Sequence, residues 1–204
     1  MNIRLEKPDD YVAVERLTYE AFLSLDFPGR RRMDEHYLIW LLKGSKSVIP
    51  ELCFVAEQGG EVVGHILYTR NKIKGADGSE KDGITFGPLS VLPKYQKQGI
   101  GSALVFHSLE KAREMGFGAV LITGIPEYYP KIGFKRARDY GLTLEDGTAE
   151  DSFMVFELVT GYLEGGGVLH FSAPEYALAE NDDEGYYAFH KRFMAGYLNM
   201  EIGG

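Results

Sequence analysis

The chain is predicted to be an α/β protein (α+β in its strand order) with one central, mixed, mostly antiparallel sheet flanked by helices. Three observations carry that expectation. The 204 residues, 45% of them apolar, suffice for one well-buried core. Residues 54–91 read as successive antiparallel strands joined by glycine-bearing turns. Residues 87–123 then read as strand, glycine loop, helix and strand, a unit whose strands lie parallel, so the sheet is mixed.

Taken in order, Ile3-Arg4-Leu5 is a short strand, and Asp9 or Asp10 caps a helix with Val14, Leu17, Ala21 and Phe22 at helical spacing. The run Asp26-Phe27-Pro28-Gly29-Arg30-Arg31-Arg32 breaks it. Its triple arginine reads as a solvated turn, with a phosphate seat as the alternative. Asp34 then caps a second helix through Tyr37, Leu38, Leu41 and Leu42. Strands at 54–57 and 62–68 flank Gln58-Gly59-Gly60-Glu61, and a third strand begins near Ile84 after the turn Gly75-Ala76-Asp77-Gly78-Ser79. In that third strand Ile84 and Phe86 share one parity, whereas Leu89 and Val91 have the other. A bulge at Gly87-Pro88 restores a common face, and a proline without an N–H cannot complete a central ladder, so the strand is expected to part from a neighbour there.

From Ser102 the chain reads as a helix with Ile100, Leu104, Leu109 and Ala112 on one face and Gly116 at its end, followed by a buried strand over 117–123. A turn of helix over 128–132 leads to the expected last strands, Phe134-Lys135-Arg136-Ala137 and Phe153 to Leu158. From Gly161 the character changes. Gly165-Gly166-Gly167 reads as a flexible break before an apolar run (168–171), an acidic stretch (180–184) that reads as a solvated turn, with a lid over a cationic substrate as the alternative, and a helix bearing Tyr186, Phe189 and Phe193. Residues 1–160 are thus the expected domain, and 161–204 a C-terminal appendage packed on it or on a partner subunit, which allows a homodimer.

The chemistry concentrates in Gln96-Lys97-Gln98-Gly99-Ile100-Gly101-Ser102. Gly99 and Gly101 carry no Cβ, so the backbone can approach an anion closely, and the following helix aims its first N–H groups and the positive end of its dipole at the same place. Two familiar phosphate loops are excluded. There is no G-x-x-x-x-G-K-[ST] run, and Gly99-Ile100-Gly101 lacks both the third glycine of a dinucleotide fingerprint and the acid about 20 residues on, where Ala119-Val120-Leu121-Ile122-Thr123 stands. An open strand also leaves amides free to pair with an extended ligand as another strand would.

The pattern Val91-x-Pro93-x-Tyr95-Gln96-x-x-Gly99-x-Gly101 resembles the acyl-CoA pyrophosphate loop of the GNAT superfamily of N-acetyltransferases. A second block, Tyr128-Tyr129-Pro130-Lys131-Ile132-Gly133-Phe134, is similar to the family's Tyr-x-x-x-Gly-Phe turn. Resemblance covers about residues 1–160, and the variants Gly87-Pro88-Leu89-x-Val91 and Pro126-x-Tyr128-Tyr129 look most like a bacterial branch of predicted acetyltransferases with unassigned acceptors. It implies the GNAT fold, with splayed strands forming an acyl-CoA cleft, and acetyl-CoA as cosubstrate. Leu89 and Val91 would pair with the pantetheine arm, and Gln96, Lys97, Gln98, Gly99, Ile100, Gly101 and Ser102 would receive the diphosphate. Tyr129 matches the family's general acid, with Tyr128 as its understudy. Direct attack on a thioester also needs an oxyanion donor, which the backbone N–H of the opened strand near Leu89 can supply, and no protein nucleophile.

Two departures from the family stand out. Thr123 occupies a position that is often Asn, and the strand before the loop offers Thr85, Phe86, Gly87 and Pro88 where some relatives carry a glutamate base. Glu57, His65, Asp82 and Asp26 are the other base candidates. The function this implies is an acyl-CoA-dependent N-acetyltransferase acting on an amine, whether a small molecule, a protein N-terminus or a lysine. Its alternative is a non-catalytic acyl-CoA-binding or regulatory module.

Composition narrows the remaining classes. A net charge of −8 argues against nucleic-acid binding through phosphate neutralisation. No apolar run approaches a membrane span and the first residues lack a signal-peptide core, so no membrane partner is expected and the location expected is cytoplasmic. The single cysteine, Cys53 in an apolar run, reads as a buried hydrophobe, and the five histidines lack metal-ligand spacing, so no metal is expected.

Overall fold

The computed structural model describes residues 1–23, 25 and 32–202, with side chains to residue 198. Its strands are β1 (Asn2–Leu5), β2 (Phe54–Gln58), β3 (Glu61–Lys74), β4 (Glu80–Val91), β5 (Ala119–Thr123), β6 (Lys135–Arg136), β7 (Leu142–Thr143), β8 (Phe153–Glu157) and β9 (Gly167–Phe171). They form one sheet in the order β1-β2-β3-β4-β5-β8-β6, with β9 pairing both β3 and β7. Only β4–β5 and β7–β9 are parallel, so the sheet is mixed and mostly antiparallel, as expected.

Helices α1 (Tyr11–Leu23) and α2 (Glu35–Leu42) cover one face, where Val14, Ile39 and Leu42 pack with Val55 and Leu67. On the other face α3 (Ile100–Glu114) buries Ile100, Leu104, Leu109 and Ala112 against Ile66, Tyr68 and Ile84, the stripe that its spacing predicted. Asp10 does not cap α1 in the expected way. It ends a short 3-10 turn (Pro8–Asp10), accepts the Lys7 N–H at 2.8 Å and binds the Arg4 guanidinium, which lowers its pKa.

Three expectations change at the C-terminal end. Phe153–Glu157 is not the last strand, because β9 joins the sheet along Asn71–Lys74, the stretch of β3 beyond the reach of β2. The glycine triplet is a turn rather than a break, with the Gly167 N–H donating to Gly141 O at 3.1 Å. The acidic stretch joins α4 (Glu175–Asn181) to α5 (Asp183–Ile202) and is tied to the rest of the chain. Tyr37 donates to Asp182 at 2.9 Å. Arg32 pairs with Asp183, donates to the carbonyls of Ala179 (2.7 Å) and Glu180 (3.2 Å), and stacks on Tyr186. Arg32 is therefore a helix-end clamp and not a solvated side chain; Asp26, Arg30 and Arg31 lie outside the described residues.

Beside this clamp the aromatic stripe of α5 meets α2, where Tyr186 and Phe189 bury against Tyr37 and Phe193 packs beside them. Within it His36 Nε2 and His190 Nδ1 lie 3.0 Å apart, so one neutral ring donates to the other. Burial, with His190 adding, pushes the His36 pKa down to about 3. The folded chain therefore keeps His36 neutral where the unfolded chain binds a proton, and stability falls as pH drops below about 6.5. Unfolding free energies from urea titrations at pH 7 and pH 5 should differ by about 2 kcal/mol from this histidine. A His36→Gln variant should show a smaller difference than the parent, and an equal difference would remove His36 as its source.

Candidate active site

The site begins with a register break. Phe86 pairs with Tyr68 and Leu89 with Ile66, so Leu67 faces both Gly87 and Pro88, whose peptide is cis. This is the bulge that the parity change called for. Ile84 and Phe86 before it, and Leu89 and Val91 after it, all join the core on the α3 face. Along β5, β4 pairs only at Ile84↔Val120, and beyond that point the two strands separate.

Backbone direction fixes what the gap offers. Leu92 N–H donates to Val63 O of β3 at 3.0 Å. Amides alternate in direction along an extended strand, so the N–H groups of Val91 and Leu89 point away from β3, into the gap. Gln96 Nε2 donates to Val91 O at 3.1 Å, which folds the following loop back on the strand. Lys97 and Gly99 take positive φ (59° and 84°), and Gly99 has no Cβ to strain in that conformation. The first rung of α3 is Ala103 N–H to Gly99 O at 2.9 Å, so the amides of Ile100, Gly101 and Ser102 lie ahead of the ladder at the positive end of the helix. Lys97 and Gln98 are exposed on the loop, and Gln98 Nε2 donates to Lys94 O at 3.0 Å.

Across the gap, β5 ends at Thr123 and a 3-10 turn follows at Tyr129–Ile132. Tyr128 OH and Ser102 Oγ lie 3.0 Å apart, a hydrogen bond that ties this arm to the start of α3. Tyr129 takes a different place, packed beside Phe86, Phe134 and Tyr128 with ring centroids 5.0–5.8 Å away. Burial, with neighbouring Tyr128 adding, raises its pKa, so the phenol is neutral and a donor at neutral pH. Gly124 makes room for that ring, since a Cβ there would overlap it.

A cleft of about 910 Å³ runs through the gap. Leu89, Phe86 and Tyr129 line it on the α3 side, and Phe22, Leu38, Thr85 and Tyr176 on the α1–α2 side. Sequence-based base candidates are placed elsewhere. Glu57 binds Arg4 at 2.9 Å, Asp82 binds Lys72 at 2.7 Å, and His65 is buried 3.5 Å from Glu6; none of the three lines the cleft. Asp34, Glu35 and Glu180 do line it, and of these Glu180 alone belongs to a stretch given a site reading from sequence, as the alternative to a solvated turn; Tyr176 had none. They reach the cleft through tertiary packing and belong to no local motif. Among the described residues no group of His, Cys, Asp and Glu side chains is arranged for a metal, and no helix is long and apolar enough to cross a membrane.

An opened parallel pair, a glycine loop on a helix N-terminus and a tyrosine turn across the gap define an acyl-thioester-binding fold. The family model of the acetyltransferase (GNAT) family matches residues 14–134, and the chain belongs to that family. Escherichia coli K12 has two similar proteins, both described as uncharacterized N-acetyltransferases. YhbS is 30% identical over 165 residues, covering 81% of this chain and 92% of YhbS. YjhQ is 39% identical over 98 residues, 48% of this chain, and the match spans about half (54%) of YjhQ. Among solved structures, E. coli YhbS in complex with CoA superposes with a TM-score of 0.74 at 24% identity, covering 86% of this chain and 91% of that one. A GNAT family acetyltransferase from Brucella melitensis in complex with acetyl-CoA gives 0.66 at 27% identity, covering 84% and 96%.

Because Gly124 is the space that the Tyr129 ring fills, Gly124→Ala should displace the phenol while leaving the glycine loop intact. The expected result is turnover reduced on the order of tenfold or more with acyl-donor affinity unchanged. Paired titration and rate measurements check it; equal loss in both would mean that the substitution disturbs the whole cleft.

Proposed function

We propose that the chain transfers an acetyl group from acetyl-CoA to a primary amine by direct attack within a ternary complex. The observation that carries this reading is the pair of N–H groups, on Leu89 and Val91, aimed into a gap that ends at the N-terminus of α3. An extended amide-bearing arm can pair with the strand there as a further strand would, and its diphosphate then meets the loop from Gln96 to Ser102. CoA in the YhbS structure and acetyl-CoA in the Brucella structure support the same ligand.

Acetyl-CoA supplies an activated acyl carbon and a thiolate leaving group. In this assignment the Leu89 N–H stabilises the oxyanion that forms as the amine nitrogen attacks, since a fixed backbone dipole costs no reorganisation at that moment. The C–N bond forms and the C–S bond breaks. Tyr129, neutral because it is buried, gives its proton to the departing sulfur, and recovers through solvent the proton that the amine nitrogen loses. A free amine must enter the reaction deprotonated, and an alkyl ammonium near pKa 10.4 is mostly charged at neutral pH. Rate should therefore rise with pH through the neutral range until the amine is free or Tyr129 ionises.

The deciding experiment is isothermal titration with acetyl-CoA, with CoA and adenosine diphosphate as comparators, followed by rate measurement on Tyr129→Phe. Stoichiometric micromolar binding that needs the pantetheine arm is expected. Tyr129→Phe should lower turnover about 10²-fold while leaving acetyl-CoA affinity within about twofold. Binding without turnover on any amine would favour a non-catalytic acyl-CoA module, and no binding by folded protein would refute the proposal.

A further inference from the structure

The half of the cleft away from the glycine loop is built partly by residues beyond the family match, which ends at residue 134. Phe171 ends β9, which is held on β3 by pairing at Asn71↔Phe171, and Tyr176 stands on α4. Their rings lie 5.5 Å apart. The Tyr176 hydroxyl is engaged inside the protein, 3.1 Å from Thr69 Oγ1 and 3.4 Å from the Gly87 carbonyl at the bulge. What this residue offers the cleft is therefore its aromatic body rather than its polar tip. Phe22 of α1 and Leu38 of α2 also line the cleft and add apolar surface to it.

The charged side chains lining the cleft, among the described residues, are Asp34, Glu35 and Glu180, all acidic; no Lys, Arg or His lines it. An aromatic face attracts an arriving ammonium and also takes up alkyl or aryl surface. The wall is rigid. Arg32 clamps the end of α4 through the Ala179 and Glu180 carbonyls, and Tyr176 fastens its start to the bulge.

We infer that Phe171 and Tyr176 are specificity-determining residues that select a small primary amine carried on an apolar, alkyl or aryl-alkyl body. This deepens the acetyl-transfer reading and rests on it. The amine enters from the α1–α2 side, its body lies between the Phe171–Tyr176 pair and the Phe22–Leu38 wall, and its nitrogen points through the gap toward Leu89. An acceptor that is hydrophilic along its length leaves this surface unused, and a lysine on a folded protein has to bring its backbone past α4.

The test uses the full chain, saturating acetyl-CoA and four acceptors: 2-phenylethylamine, hexylamine, putrescine and a lysine-containing peptide. Thiol release and product mass are the readouts. Phenylethylamine and hexylamine should exceed putrescine and the peptide in kcat/KM by roughly tenfold or more, the ratio expected from burying one apolar group of that size. Phe171→Ser should raise the KM for phenylethylamine by about tenfold with acetyl-CoA affinity unchanged, and Phe171→Leu should recover most of that loss. Preference for putrescine or the peptide, no product from either apolar amine, or an unchanged KM in Phe171→Ser would each overturn the inference. If acetyl-CoA binds and the peptide is the preferred acceptor, only this inference fails. If acetyl-CoA does not bind, the acetyl-transfer reading fails and takes this one with it.

Discussion

The rest of the structure depends on one constraint: β4 must stay hydrogen-bonded to β3 along its length and yet leave β5. The bulge that sets Leu67 against Gly87 and Pro88 meets it. An extra residue in one strand increases local twist and turns the strand without ending its ladder on the paired side. It also exchanges the faces of alternate residues. Without it, Leu89 and Val91 would leave the core that Ile84 and Phe86 occupy. The same irregularity therefore keeps the apolar core continuous and frees two backbone donors, so the core and the site cannot be altered independently at this position.

An open strand pair inside a sheet exposes unpaired backbone groups and apolar side chains, which is costly unless something holds the gap at a fixed width. Here the two arms are bridged at one end by Tyr128 and Ser102 and lined by the Phe86, Tyr129 and Phe134 rings. On the other face Tyr176 reaches the carbonyl of Gly87. That face is in turn steadied by a chain of contacts running through α4, Arg32 and α2. The gap is thus supported from both faces of the sheet, one by a motif tyrosine and the other by a residue far along the chain.

What was legible in the sequence was what is local. The parity change at Gly87-Pro88 reports the bulge because strand side chains alternate with period two, and one extra residue inverts the count. The glycine loop, the α3 stripe and the two-strand hairpin are legible for the same reason: each is a short pattern whose geometry closes on itself. β9 was not legible as part of the sheet, because an isolated apolar run does not say which edge it pairs with; that edge exists only because β3 outruns β2. Arg32 looked like a solvated turn because its partners, the carbonyls at the end of α4, lie about 150 residues away. The base candidates failed similarly: Glu57, His65 and Asp82 sit on strands near the motif in sequence, but their side chains face Arg4, Glu6 and Lys72.

The two tyrosines of the turn show how geometry separates neighbours that a motif treats alike. Their rings stand at 77° to one another and take different places. Tyr128 reaches the helix start, where its hydroxyl is engaged by Ser102 and bridges the two arms. Tyr129 turns inward over Gly124, against Phe86, one position before the bulge. Its burial raises the cost of ionising it, which makes it a poor base and a dependable neutral donor. The adjoining stretch of β4 carries no carboxylate, whereas Asp34, Glu35 and Glu180 line the cleft from the α2 and α4 side. In the reaction proposed above, the phenol that would serve the sulfur and the carboxylates nearest the acceptor therefore fall on different sides of the opened β4.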